Sequence, residues 1–239
     1  MPGCRMSRIA LIVGAGSGNS ASFARALAAE GVKVVLAARN IAKLDALCEE
    51  IDASAISCDA TSVESVGELF ESMAQTVGMA DVVLYNASAY TAGPITGLDP
   101  GAVHDSLMQT AFAAFLVAQQ AAIQMTKLGH GSICFTGATA SVKGFPQFAP
   151  FAMGKFALRG LAQSLARELG PQNIHVAHFI IDGGIASPGR SLDSSDPTTN
   201  VDDAQLEPDS IAQTYMAILN QHRSAWTHEI DLRPWVESF

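Results

Sequence analysis

The sequence predicts an α/β fold in which a doubly wound parallel sheet of about seven strands is covered by helices on both faces. Two observations predict it. Short apolar runs alternate with segments of helical periodicity along the chain, which is typical of parallel sheets. The opening segment 8–39 also contains a complete strand, glycine turn, helix and strand. The length of 239 residues suits a single domain spanning 1–239.

The opening unit can be justified part by part. The apolar run 9–13 has the length and composition of a strand buried on both faces. Helical periodicity begins at Ser20, places Phe23 and Leu27 on one face, and stops at Glu30-Gly31. A second apolar run, 32–37, predicts the next strand.

The same two patterns predict the remaining elements in order. Helical periodicity predicts helices over 41–51, 63–77, 102–127, 151–169 and 209–220. Apolar runs predict strands over 55–58, 81–85, 131–136, 174–181 and 227–232. The segment 183–208 is rich in Gly, Ser, Asp, Pro and Thr and has little periodicity, which predicts a lid-like or disordered segment near 184–208.

The composition of the chain limits the partners and ligands that it could bind. A net charge of −9 and a pI near 5.0 argue against nucleic acid, because a basic surface would be needed to neutralise phosphates. The four cysteines have no CxxC or metal-ligand spacing, which predicts reduced core thiols and no metal. Reduced thiols predict a cytoplasmic protein, and we also expect no signal sequence and no apolar run long enough to span a membrane.

The glycine turn is the first candidate binding site. Gly14, Gly16 and Gly18, with Ser17 and Asn19, lie between a buried strand and a helix. Glycine lets backbone N–H groups approach a phosphate at a helix N-terminus. A tight turn without a ligand is the alternative. Ligands of such sheets bind beyond the carboxyl ends of the strands, near the switch in strand order.

Further motifs stand downstream of this turn, in the order Asp59-Ala60, Asn86-Ala87-Ser88, the window from Phe151 to Lys155, and Asp182-Gly183-Gly184-Ile185. With the glycine turn, they make the chain resemble the short-chain dehydrogenase/reductase family along nearly its full length. The resemblance implies a Rossmann-type fold. It also implies a dinucleotide held by Gly14, Gly16, Ser17, Gly18, Asn19, Asp59, Ala60, Asn86, Ala87, Lys155, Gly183 and Ile185.

The sequence departs from the family's catalytic pattern at three positions. The family has a tyrosine four residues before the lysine, a serine thirteen residues before that tyrosine, and an asparagine in the helix after the fourth strand. Here these positions read Phe151, Ala138 and Thr110, and of the four catalytic positions the lysine alone, Lys155, survives. No tyrosine lies between Tyr90 and Tyr215, so a shifted alignment does not restore one.

The end of the second strand bears on the choice of cofactor. An acidic residue there would accept a hydrogen bond from a ribose 2′-hydroxyl. This chain has Ala38 and Arg39, and a guanidinium suits a 2′-phosphate. We therefore expect NADP (NADPH) rather than NAD. The alternative is that Arg39 is merely solvated or stacks on the adenine.

Replacement proton donors are few. Tyr90, on the loop after the fourth strand, is the preferred candidate, although it could instead pack on the lid. Thr139 and Ser141 are further candidates, because they follow the vacated position at Ala138. His104 and His130 are expected to be helix-surface and loop residues.

Two functions from different classes follow. The first is an NADP(H)-dependent oxidoreductase that transfers hydride without the Tyr/Ser pair, on a hydrophobic small molecule suggested by Phe145, Phe148, Phe151 and Met153. The second is a catalytically inactive nucleotide-binding sensor or scaffold. A Rossmann-type methyltransferase or isomerase is the third hypothesis. By resemblance, the helices 102–127 and 151–169 imply a homodimer or homotetramer.

Overall fold

The chain forms one seven-stranded parallel sheet in the computed structural model, which describes residues 8–187 and 202–237. The strand order is β3-β2-β1-β4-β5-β6-β7. The strands are β1 Ile9–Val13, β2 Lys33–Ala38, β3 Ser54–Ser57, β4 Val82–Tyr85, β5 Gly131–Thr136, β6 Ile174–Ile181 and β7 Glu229–Leu232.

The strand order reverses at β1. The chain runs outward from β1 to β3 and then returns, so that β4 pairs with the other side of β1. In the register, Ile12 of β1 lies beside Leu36 of β2 and Leu84 of β4. This is the doubly wound arrangement that the alternation of apolar runs and helices predicted, and the prediction is confirmed.

Helices cover both faces of the sheet. They are α1 Asn19–Ala29, α2 Asp45–Ile51, α3 Val63–Thr76, α4 Pro100–Leu107, α5 Ala113–Leu128, α6 Ala149–Leu169 and α7 Pro208–Leu219. Alternate strand residues point to opposite faces. Leu11 is buried in a cluster that includes Leu158 of α6, whereas Ala10 is buried with Phe23 of α1 and Tyr215 of α7.

The predicted helix over 102–127 contains an irregularity. A π-helical turn, Met108–Phe112, separates α4 from α5 within a run of 29 residues, Pro100–Leu128. By length and composition this run could cross a membrane, so the expectation that no apolar segment reaches that length is wrong. One such helix is weak evidence, because the core helix of a globular protein has the same properties.

Two further predictions concern loops and thiols. The lid-like segment 184–208 lies largely outside the described residues, which end at 187 and resume at 202; an isolated bridge pairs Ile185 with Leu206. Cys58 and Cys134 are buried free thiols, as expected of a reduced core, and Cys48 is partly buried. Cys4 lies outside the described residues.

Candidate active site

A groove runs along the carboxyl ends of the strands, at the switch in strand order. Its first half, here called the β2-side cavity, has a volume of about 380 Å³ and lies beyond β1, β2, β3 and β4. Its second half, the β5-side cavity, has a similar volume of about 380 Å³ and lies beyond β5 and β6. Asn86 and Ser88 line both cavities, so the two halves are continuous.

Both halves are lined by residues that the sequence predicted. Those of the β2-side cavity include Gly14, Arg39, Asp59, Ala60, Asn86 and Ala87. Those of the β5-side cavity include Gly18, Asn19, Asn86, Ala138, Phe151, Lys155, Gly183 and Ile185. Gly16, Ser17, Tyr90 and Thr110 are not among the described residues that line either half.

The glycine turn brings two strand ends together. Gly14 has φ +81°, and a Cβ on it would lie 2.5 Å from the Ala87 backbone nitrogen, so only glycine fits there. Its N–H donates to the Ala37 carbonyl at 3.0 Å, which ties the turn to β2. At Gly16 and Gly18, by contrast, a Cβ would meet nothing within 4 Å. The space beside these two residues is therefore open to a ligand, and the Gly16 N–H donates a hydrogen bond to the Ser20 hydroxyl at 2.9 Å.

The N-terminus of α1 follows this open backbone. Gly18 is the N-cap residue, no side chain caps the helix, and the first turn has no acidic residue. The first N–H groups of a helix lack intrahelical partners, and the helix dipole favours negative charge at that end. This combination is suited to an anionic group such as a pyrophosphate.

Two cations line the β2-side cavity. The sequence predicted Arg39; the structure adds Lys43, from the turn that follows β2. Asp59 lines the same cavity, and its carboxylate accepts hydrogen bonds from the Thr61 N–H at 3.0 Å and the Thr61 hydroxyl at 2.7 Å. These hydrogen bonds lower the pKa of Asp59. Lys43 was missed because a lysine in a helical segment usually lies on a solvated face.

Lys155 lies inside the β5-side cavity. The side chain is 3% exposed, and its Nζ donates a hydrogen bond to the Thr136 carbonyl at 2.8 Å. Burial disfavours the charged form and lowers the pKa of Lys155 to about 8. Among the described residues that line this cavity, Lys155 is the one titratable side chain.

The vacated catalytic positions lie beside this lysine. Ala138 and Phe151 line the same cavity, and the Phe151 ring centroid is 5.8 Å from the Lys155 Nζ. Tyr90 packs on the outer side of this cluster, with its ring centroid 5.4 Å from that of Phe151 and 5.8 Å from that of Phe148. It is 69% exposed. Its role as a proton donor stays a prediction.

Thr110 is fully buried in the π-helical turn. Its hydroxyl accepts a hydrogen bond from the Ala89 N–H at 3.2 Å. Helix α6 packs closely against this turn: a Cβ on Gly154 would lie only 3.0 Å from the Thr110 Cβ. Thr110 thus ties the loop after β4 to the helix pair, and its part in a proton relay stays a prediction.

A row of buried, hydrogen-bonded polar residues lies behind the β5-side cavity and was not predicted from the sequence. The Ser141 hydroxyl lies 3.4 Å from His178 Nε2, and His178 Nδ1 lies 3.0 Å from a Glu229 carboxylate oxygen. Arg159 forms two hydrogen bonds to the same carboxylate, at 2.6 and 2.7 Å. Burial lowers the pKa of His178 to about 4, against the opposing pull of Glu229.

The buried hydrogen-bonded residues bear on the prediction for Ser141. Ser141 is fully buried and accepts a hydrogen bond from the Ala138 N–H at 3.1 Å, so its hydroxyl holds the loop after β5 and does not line the described cavity. His104 and His130 are exposed, as the sequence predicted. The signal for His178 was present in the sequence, since two histidines interrupt the apolar run 174–181.

The Asp182-Gly183 turn closes the far side of the β5-side cavity. Gly183 has φ +146°, and a Cβ on it would lie 2.7 Å from Pro234 Cδ. The Asp182 side chain points into the protein, where it is 1% exposed and its carboxylate lies 3.2 Å from an Arg233 nitrogen. Gly183 and Ile185 therefore face the groove and Asp182 anchors the turn.

The apolar residues expected around a substrate divide into two groups. Phe151 lines the β5-side cavity. Phe145 and Met153 are 46% and 51% exposed, and Phe148 is partly buried.

Within residues 8–187 and 202–237, the structure contains no group of three or more His, Cys, Asp or Glu residues that could hold a metal ion.

Comparisons with known proteins agree with this architecture. The family model described as short chain dehydrogenase matches residues 8–195. An uncharacterised oxidoreductase of Staphylococcus aureus is 29% identical over 237 residues, which cover 95% of this chain and 97% of that protein.

Two solved structures are similar along nearly their full length. A short-chain dehydrogenase from Rhodopseudomonas palustris is 33% identical, with a TM-score of 0.81 over 95% of this chain and 99% of that one. A metagenomic short-chain oxidoreductase, solved in complex with NADP, is 25% identical, with a TM-score of 0.82 over 95% of this chain and 96% of that one.

Proposed function

The chain belongs to the short-chain dehydrogenase family, and on that premise we propose that it is an NADP(H)-dependent oxidoreductase with an atypical proton donor. One observation carries the proposal. An uncapped helix N-terminus opens onto a continuous groove that has Arg39 and Lys43 in one half and a buried Lys155 in the other. The similar oxidoreductase that was solved with NADP supports the choice of cofactor.

The donor set fits a pyridine dinucleotide phosphate along the groove. The open space beside Gly16 and Gly18 and the N-terminus of α1 suit the pyrophosphate. The guanidinium of Arg39, with Lys43 beside it, suits a 2′-phosphate. The remaining contacts are assigned to Asp59 and Ala60 at the adenine, Asn86, Ala87 and Lys155 at the ribose, and Gly183 and Ile185 at the nicotinamide.

The bound cofactor would supply a hydride, and the protein's own task is then to manage one proton. We assign that proton to Lys155 Nζ, because this atom belongs to the one titratable side chain among the described residues of the β5-side cavity. A general acid works best when its pKa is near the operating pH, and burial lowers the pKa of Lys155 to about 8. Tyr90 is the second candidate, since its ring packs against Phe151 at the rim.

The substrate is proposed to be a hydrophobic small molecule. Phe151 forms one wall of the β5-side cavity, and Phe148 and Tyr90 pack beside it. Such a wall contributes apolar contact area and no hydrogen bond to a carbonyl oxygen. A panel of carbonyl compounds graded by apolar area is the direct way to examine this.

A second function is favoured by a specific observation. Phe151 and Ala138 have no proton to donate, and loss of a general acid typically costs ~10²–10⁴ in rate. A protein that binds NADP(H) without turnover, as a sensor or scaffold, is therefore the alternative.

NADPH binding and turnover distinguish the two functions. We expect the purified protein to blue-shift NADPH fluorescence and to oxidise NADPH when offered a panel of aldehydes, ketones, quinones and enoyl compounds. Displacement by 2′-phospho-ADP-ribose is the control for binding in the groove. Bound NADPH that no member of the panel oxidises would favour the sensor or scaffold, and absence of binding would reject both functions.

Charge reversal at Arg39 tests the choice of cofactor. Hydrogen bonds to charged groups contribute about 1.5–3 kcal/mol, so Arg39→Glu is expected to weaken NADPH binding by roughly 10- to 100-fold and to leave NADH binding nearly unchanged. Dissociation constants from fluorescence titration give both numbers. Lys33→Glu, an exposed change at the opposite end of β2, is the matched control. An equal loss for both dinucleotides would contradict a 2′-phosphate contact.

Assembly and cellular location are proposed as well. Strands from residue 9 to residue 232 form one sheet, which supports a single domain over 1–239. Phe115 and Ile123 of α5 are 41% and 46% exposed beside α6, which supports a homodimer or homotetramer. A cytoplasmic location is proposed from the reduced thiols.

A further inference from the structure

A buried amide with one unpaired end lies at the β5-side cavity. Asn19, the first residue of α1, is 6% exposed and lines that cavity. Its Nδ2 lies 3.5 Å from the Tyr215 hydroxyl. Its Oδ1 is buried and has no hydrogen-bond partner among the described residues. Buried polar atoms are nearly always paired, so this acceptor indicates a missing donor.

The amide is held in place from behind. The Tyr215 hydroxyl lies 3.0 Å from the Thr136 hydroxyl, and the Tyr215 ring packs against Phe23 and Phe179 at centroid distances of 5.2 and 3.9 Å. Tyr215 is fully buried. Because one end of the Asn19 amide is engaged by this phenol, the other end is the one available to a ligand.

The surroundings narrow the kind of donor that fits. Lys155 Nζ donates to the Thr136 carbonyl at 2.8 Å, and no hydrogen bond joins it to Asn19 Oδ1. Much of the rest of the wall is apolar, including Ala138, Phe151 and Ile185. A flat ring that carries an amide N–H would match this largely apolar wall and the fixed acceptor of Asn19.

We propose that Asn19 Oδ1 accepts a hydrogen bond from the carboxamide N–H of the nicotinamide ring, with Tyr215 and Thr136 as positioning residues. The inference rests on the proposed function, because it requires a pyridine dinucleotide in the groove. It adds a side-chain contact from α1 to the backbone contacts expected from Gly183 and Ile185. It also accounts for the buried amide of Asn19 at the start of α1.

The test compares three ligands by calorimetry: NADP⁺, its 3-acetylpyridine analogue, which keeps the ring carbonyl and lacks the N–H, and 2′-phospho-ADP-ribose, which lacks the ring. The natural protein is expected to bind NADP⁺ about three- to tenfold more tightly than the analogue, the effect of one net hydrogen bond. Asn19→Leu, similar in size, is expected to abolish that preference and to leave 2′-phospho-ADP-ribose binding within about twofold. Tyr215→Phe, which keeps the ring packing, is expected to reduce the preference partly.

Each other outcome overturns the inference in a distinguishable way. An unchanged preference in Asn19→Leu would show that the carboxamide is bound elsewhere. An equal loss of affinity for all three ligands would show that Asn19 acts through the α1 N-terminus. If Asn19→Leu does not fold, Asn19→Ala and Tyr215→Phe carry the same comparison. Failure of the natural protein to bind any of the three ligands would reject the proposed function itself.

Discussion

Replacement of Lys155 by methionine is expected to lower the rate of NADPH-dependent reduction by about 10²–10⁴-fold, the usual contribution of a general acid. The reason is geometric. Lys155 Nζ lies in the β5-side cavity beside Ala138 and Phe151, which provide no proton. Single-turnover rates measured at saturating NADPH isolate this effect from changes in affinity.

The pH dependence of the same reaction tests the role of Lys155 independently. Reduction consumes a proton, so it needs the ammonium form of Lys155. With a pKa of about 8, that form is present below pH 8 and falls tenfold per unit above it. The reduction rate is therefore expected to be level below about pH 8 and to fall above it, and alcohol oxidation is expected to show the opposite dependence. Lys155→Arg keeps the charge and should remove the break.

Two further variants distinguish the role of Lys155 from a general effect of removing a lysine and from the role of Tyr90. Lys127→Met removes an exposed lysine of α5 and is expected to leave the rate unchanged. Tyr90→Phe removes the phenol at the rim and is expected to change the rate by less than about tenfold. If Tyr90→Phe instead abolished turnover, and Lys155→Met only weakened NADPH binding, then Tyr90 would be the proton donor.

The sequence was most informative where local chemistry determines the structure. The apolar run 9–13, the glycines that follow it and the helix from Ser20 lie within one short unit, and each signal is a property of neighbouring residues. The arrangement of Gly14 against Ala87 shows why the unit needs glycine. The seven strands were all predicted, with no end displaced by more than two residues.

Features that depend on contacts between distant segments could not be predicted. Asn19 and Tyr215 are 196 residues apart, and Ser141 and His178 are 37 apart, so no local pattern links either pair. The π-helical turn at Met108–Phe112 has the same apolar periodicity as an ordinary helix. Lys155 could be placed in the groove by family resemblance, but its burial and its altered pKa follow from packing.

Restoring hydroxyls at the two vacated positions is the converse experiment. The double variant Phe151→Tyr and Ala138→Ser is expected to raise carbonyl reduction by at least about 10²-fold, since a positioned acid and one oxyanion donor each contribute on that order. Both side chains line the β5-side cavity, and the Phe151 ring lies 5.8 Å from Lys155 Nζ. A phenol at position 151 would have a cation nearby, and a nearby positive charge lowers the pKa of a phenol.

The outcome discriminates between the two functions because NADPH binding and turnover are measured on the same variant. Phe148→Tyr, which adds a phenol to the neighbouring ring that packs on Tyr90, is the matched control and is expected to give no gain. A gain in the double variant alone would show that the groove already orients a carbonyl substrate and lacked only its hydroxyls. Tight NADPH binding with no gain would mean that the cavity beside Lys155 holds no carbonyl group in a reactive position, which is the behaviour of a nucleotide-binding sensor or scaffold.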